Sequence, residues 1–134
     1  MTLNKFYLLN VGAGFVLTAL AGFFAPEQLT KESGIVLTSV SSINEIRSLY
    51  GGVHMALGIF IVWSAIKNIH LLTSFFICIL FPGGYAVGRL ISIAFDGMPN
   101  AAILFFTGLE IVIAVAGIIL MRRSGLASLE NKVA

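Results

Sequence analysis

The chain has 134 residues, of which 58% are hydrophobic and 10% charged, and its mean hydropathy is +1.01. Those values lie outside the ordinary soluble range and call for lipid as solvent. A net charge of +2, carried by dispersed residues without a basic run, gives nothing that would track a phosphate backbone and speaks against nucleic acid as a partner. Cys78, the single cysteine, excludes an intrachain disulfide and any multi-cysteine metal or cluster site.

A hydrocarbon core about 30 Å thick takes roughly 20 residues of helix rising about 1.5 Å each, so four spans with short connections use nearly the whole chain. The expected fold is all-α: a single transmembrane domain over 1–134, an integral membrane four-helix bundle with helices at 6–25, 42–66, 71–95 and 101–120. The first apolar run follows Lys5 as a signal peptide would, but it exceeds the usual h-region of about 7 to 15 residues and reads as a span ended by Pro26. Within it Gly14, Thr18 and Gly22 form a small-residue stripe that predicts close approach of another helix. Pro26-Glu27-Gln28 starts a short interfacial helix that Gly34 terminates. Ser42-Ile43-Asn44-Glu45 fits a capping box, so the second span is expected to begin at Ser42 with Glu45 as the capping carboxylate.

Lys67-Asn68-Ile69-His70 is a tight connection into the third span, where Pro82 removes a backbone donor and predicts a kink. Gly84 and Gly88 form a GxxxG that suggests helix contact. Asp96-Gly97-Met98-Pro99-Asn100 is a turn, and the fourth span ends before Arg122 and Arg123. Basic residues near span ends favour the cytoplasm, and Lys5, Lys67, Arg122, Arg123 and Lys132 all fall on one side against Lys31 on the other. Both termini are therefore expected in the cytoplasm, with a bacterial inner (plasma) membrane as the expected location. No internal repeat or inverted pair of helices supports a secondary transporter.

Ionisable groups inside spans are costly and mark sites or buried pairs. Glu110, about 14 Å into the fourth span by helical rise, is the clearest case. On the second span Arg47, Tyr50, Gly51, His54 and Gly58 recur at spacings of three and four and so share a face. His54 lies about 15 Å deep and Arg89 of the third span about 9 Å, so these side chains can converge with Glu110 on one site. Arg47, Tyr50, His54, Arg89 and Glu110 are the ligand-binding candidates; no catalytic set is legible. Plainer roles stand beside each: the arginines snorkel to the interface, Glu110 and Arg89 pair to fix register, and His54 is a hydrogen-bonded core residue. No metal or cofactor is expected, because His54, Glu110 and Asp96 lack ligand spacing and His70 lies on the other membrane face.

At Asn44-Glu45-Ile46-Arg47, Tyr50-Gly51-Gly52, Gly88-Arg89 and Asp96-Gly97-Met98-Pro99, followed by the lone Glu110, the chain resembles a family of small bacterial membrane proteins known as domain of unknown function 4345. More distantly it is similar to the DoxX-like four-helix membrane proteins, some of which accompany oxidoreductases. The resemblance implies four helices and a bacterial membrane, and it attaches no reaction to any residue.

Three functions compete. The first is a non-catalytic subunit or homo-oligomer, with the bilayer and a second copy or another membrane protein as partners. The second is binding or transport of a hydrophobic molecule with a polar head, a lipid or quinone, entering from the outer leaflet with Arg47 and Arg89 on the head. The third is an intramembrane acid–base enzyme using Glu110 and His54.

Overall fold

A computed structural model describes residues 2–125, and all its regular structure there is helical. In chain order the elements are α1 (Leu3–Phe24), α2 (Pro26–Lys31), α3 (Val40–Ile46), a π-helical stretch (Arg47–Val53) that runs on into α4 (His54–Lys67), α5 (Leu71–Asp96) and α6 (Ala101–Arg123). Four rods, Leu3–Phe24, Val40–Lys67, Leu71–Asp96 and Ala101–Arg123, are long and apolar enough to cross a membrane. Lys132, counted above with the basic flank, lies outside the described residues.

Local chemistry sets the helix ends. Thr2 accepts from the Lys5 amide and starts α1 at Leu3, before the expected boundary. Pro26 stops α1 and opens α2 at a position where its missing N–H costs nothing, and Gly34, at φ +70°, turns the chain away. The capping box is shifted from the expected place. Ser39, not Ser42, is the cap, and its hydroxyl accepts from the Ser42 amide at 3.1 Å while the Ser42 hydroxyl answers the Ser39 amide at 3.0 Å. A second serine in the third helical position thus does the work assigned to Glu45, which is exposed, and the helix starts at Val40. Asn68 and His70, both left-handed, fold the tight 67–70 connection. Asn100 caps α6 through the Ile103 amide at 2.9 Å. Helix α5 continues through the buried Pro82 to Asp96.

The rods associate as two close pairs, α1 with the π stretch and α4, and α5 with α6, and the pairs touch each other less extensively. Between helices in lipid there is no hydrophobic force to bring them together, so close packing depends on small residues and on interhelical hydrogen bonds. Gly22 and Gly51 supply the closest contact: a methyl built on Gly22 would lie 2.6 Å from the Gly51 nitrogen and 2.7 Å from the Tyr50 carbonyl carbon. Further along the same seam, a methyl on Gly58 would lie 2.9 Å from the Gly12 oxygen. The stripe on α1 is therefore Leu8, Gly12, Ala19 and Gly22, all buried, and not the expected Gly14, Thr18 and Gly22; Gly14 is exposed with open space at its Cβ. Spacings of four, seven and three follow the 3.6-residue turn better than a strict four, which drifts around the helix.

All four rods meet at one end, where Leu8, Ile61, Ala65, Phe75, Cys78 and Leu120 form the core. Tyr7 closes it, stacking on Phe75 at 5.6 Å and donating its hydroxyl to the Ile113 carbonyl of α6 at 2.9 Å. Lys5, Lys67, Arg122 and Arg123 surround this basic end. The opposite, acidic end carries Glu27, Glu32, Glu45 and Asp96, and its two connections are tied by Asn100 Nδ2 donating to the Glu32 carbonyl at 2.6 Å. With the core at the basic end and looser pairing at the other, a groove opens between the π stretch with α4 on one side and α5 on the other.

Candidate site: a polar groove between α4 and α5

The groove widens into a hollow of about 660 Å³ lined among others by Leu49, Tyr50, Leu80, Tyr85, Gly88 and Arg89. Toward the basic end it meets a second hollow of about 360 Å³, almost wholly apolar, between Leu57 of α4 and Thr73, Phe76 and Ile77 of α5; Leu80 and Phe81 line both. Gly84 and Gly88, expected to receive a helix, instead floor the first hollow with nothing within 4 Å of either Cβ position. Their missing side chains make the space.

Arg89 and Glu110 meet. The turn at 97–100 folds α6 back beside α5, and the two residues lie at similar distances on either side of it, so antiparallel packing brings them level. Arg89 Nε sits 3.1 Å from Glu110 Oε2, with the side chains 25% and 16% exposed, so the pair is largely withdrawn from its surroundings. The contact is an ion pair without hydrogen-bond alignment, since neither atom has a hydrogen-bond partner among the described residues. Glu110 stands behind the guanidinium and does not line the groove; Arg89 does. Its guanidinium carbon lies 6.0 Å from the centre of the Tyr85 ring, within cation–π range.

His54 is buried at the start of α4. Its Nδ1 is 2.9 Å from the Leu49 carbonyl, and because a carbonyl only accepts, Nδ1 carries the proton. Leu49 lies five residues back, within the π stretch, where the widened turn presents its carbonyl to the imidazole. The ring stacks on Tyr50 at 5.4 Å, meets Phe81 edge-on at 5.2 Å and lies 6.4 Å from Tyr85. Tyr50 and Tyr85 in turn interact through their side chains.

The structure thus joins four of the five candidates in a chain: His54 to Tyr50, Tyr50 to Tyr85, Tyr85 to Arg89 and Arg89 to Glu110. Arg47 stands apart, exposed, with Nε donating to the Phe23 carbonyl at 3.2 Å and so satisfying the end of α1. No hydrogen bond, ion pair or ring contact links His54 to Glu110 among the described residues. Tyr85 and Phe81 were missed by sequence reasoning although Phe81, Tyr85 and Arg89 recur at spacing four, the signal for one helix face. Among the described residues no three His, Cys, Asp or Glu side chains cluster closely enough to hold a metal ion.

The sequence profile of one family, Domain of unknown function (DUF4345), matches residues 3–121. The chain belongs to this family. No curated protein and no solved structure matches it. The matched span takes in all four rods of this DUF4345 protein to within two residues of the end of α6, and with them the groove and every member of the His54-to-Glu110 chain.

Proposed function

We propose that this DUF4345 protein is a non-catalytic protein of the bacterial inner membrane that binds a hydrophobic molecule with a polar head in the groove between α4 and α5. The observation that carries the reading is the placement of Arg89: a charged side chain, costly in a membrane, lines an open and otherwise largely apolar groove of ligand size. A pair serving register alone has no need of a groove beside it. The basic end faces the cytoplasm by the excess of Lys and Arg there, which puts the polar part of the groove in the outer leaflet. An acid–base reaction through His54 and Glu110 loses support because each is engaged elsewhere, His54 with Leu49 and four rings, Glu110 with Arg89.

The test is native mass spectrometry of gently extracted protein, wild type against Arg89→Ala. A small molecule bound to the wild type and lost from the variant supports the binding reading and supplies its mass. A subunit or homo-oligomer role is the second reading, favoured by the open Gly84 and Gly88, which could accept a helix from another chain. A stable oligomer or co-extracted protein with no small molecule supports that role and refutes the first.

A further inference from the structure

The chemistry of the groove wall narrows what it can hold, granted the binding reading above. Its polar side chains at the Arg89 level are one cation and several hydroxyls, and all of them can donate. Arg89 has no acceptor capacity, and Glu110, the nearest carboxylate, is outside the lining. Among the described residues neither terminal nitrogen of Arg89 makes a hydrogen bond; Glu110 approaches from the Nε side, leaving the other side of the fork open. Ser92 has already given its hydroxyl to Asp96 at 2.9 Å, whereas the Ser33 hydroxyl has no such partner among the described residues. Of the Tyr50 and Tyr85 phenols, one at most can be spent on the other. A planar fork with free N–H groups beside phenol and serine hydroxyls matches oxygen acceptors, best a carboxylate or phosphate that takes the guanidinium side-on. An ammonium head would find acceptor lone pairs on the hydroxyls but would meet the like charge of Arg89 at the same level.

Below this level the lining changes character. From Arg89 to Thr73 the groove follows α5 for about 24 Å by helical rise, most of the hydrocarbon thickness, and its lower hollow is bounded, Thr73 apart, by apolar side chains of only two helices. That shape takes one extended chain. We infer that the ligand is a single-chain lipid with an oxyanion head, the head on the open side of Arg89 and the chain passing Leu80 and Phe81 into the apolar hollow at Leu57 and Phe76. Glu110 acts here as a positioning residue: it holds the guanidinium toward the groove while competing with the ligand for its charge.

Photolabelling tests this on the whole protein in neutral detergent. The probes are a sixteen-carbon fatty acid with a mid-chain diazirine and the matching alcohol. The acid is expected to label peptides containing Leu57, Phe76, Leu80 or Phe81, the alcohol to label them only at far higher concentration. Arg89→Gln should raise the half-saturating acid concentration by about ten- to a hundredfold, the usual loss for a contact to a charged group. Glu110→Gln should lower it, because a competing carboxylate is gone while a hydrogen-bonding amide remains. Equal labelling by acid and alcohol would overturn the oxyanion assignment and leave groove binding standing; labelling that avoids these peptides with both probes would remove groove binding as well. Displacement of the acid by millimolar inorganic phosphate would overturn the lipid as source, and an equal loss in Glu110→Gln and Arg89→Gln would overturn the open-side geometry. The acid–alcohol comparison needs no variant, so it decides even where a substitution unfolds the protein.

Discussion

Replacing Gly22 with alanine is the sharpest probe of how the first helix pair is held. The added methyl would lie 2.6 Å from the Gly51 nitrogen, 2.7 Å from the Tyr50 carbonyl carbon and 3.0 Å from Tyr50 Cβ. Two of these three atoms are backbone, so no side chain can rotate away, and α1 must withdraw by roughly 1 Å to restore ordinary contact. Overpacking of this kind costs about 1–3 kcal/mol, and a backbone obstacle belongs at the upper end. The gain in helix propensity from Gly to Ala, about 1 kcal/mol, offsets part of it. A net loss of about 2 kcal/mol follows, which lowers the folded-to-unfolded ratio some thirtyfold. Gly14→Ala is the control, since nothing lies within 4 Å of its Cβ position and only the propensity gain remains. Reversible unfolding in mixed micelles, followed by circular dichroism, measures both. Equal effects of the two substitutions, or a larger loss at Gly14, would refute the seam described here and restore the stripe of Gly14, Thr18 and Gly22.

The same unfolding assay ranks the caps: Ser39→Ala should cost about 1 kcal/mol and Glu45→Ala close to nothing, whereas the opposite order would return the capping box to Ser42 and Glu45. For the ion pair, Arg89→Met or Glu110→Gln alone should destabilise, the former by about 3–5 kcal/mol if the remaining carboxylate stays buried and charged, and the double variant should recover much of the loss. Additive losses would mean that the two groups do not interact. Topology is checked by maleimide labelling of intact cells in a Cys78→Ser background. Cysteine at Met98, an exposed residue beside α6, should react from outside and cysteine at Lys67 only after the membrane is breached; the reverse pattern overturns the orientation.

The spans were legible because length and hydropathy suffice for them, and a meeting of Arg89 with Glu110 was legible as one alternative because a short turn sets two antiparallel helices side by side, although residue counts put the two at about 9 and 14 Å and set His54, not Arg89, level with Glu110. The face drawn through Arg47, Tyr50, His54 and Gly58 was less secure because it assumed 3.6 residues per turn throughout. The π stretch over Arg47–Val53 breaks that period, turning Arg47 out to the end of α1 while Tyr50 and His54 stay stacked. Nothing in the local sequence except the Gly51-Gly52 pair hints at the widened turn; its partner, the close approach of Gly22, is a tertiary contact. Glycine patterns were equally ambiguous. Gly22 and Gly51 exclude space by letting the backbones of two rods touch, while Gly84 and Gly88, four apart on one rod, create it. Only the position of neighbouring helices separates those outcomes.

The most direct test of the central claim is to fill the groove without touching its packing. Gly84 floors the hollow between the Leu80–Phe81 step and Arg89, and its Cβ position meets nothing within 4 Å, so Gly84→Leu starts its side chain in open space, gains helix propensity over glycine and occupies the proposed ligand's path, with retained helicity and melting checked alongside. Native mass spectrometry should find the wild type with a bound small molecule and the folded variant without it. A folded Gly84→Leu protein that retains that molecule at full occupancy would contradict the account.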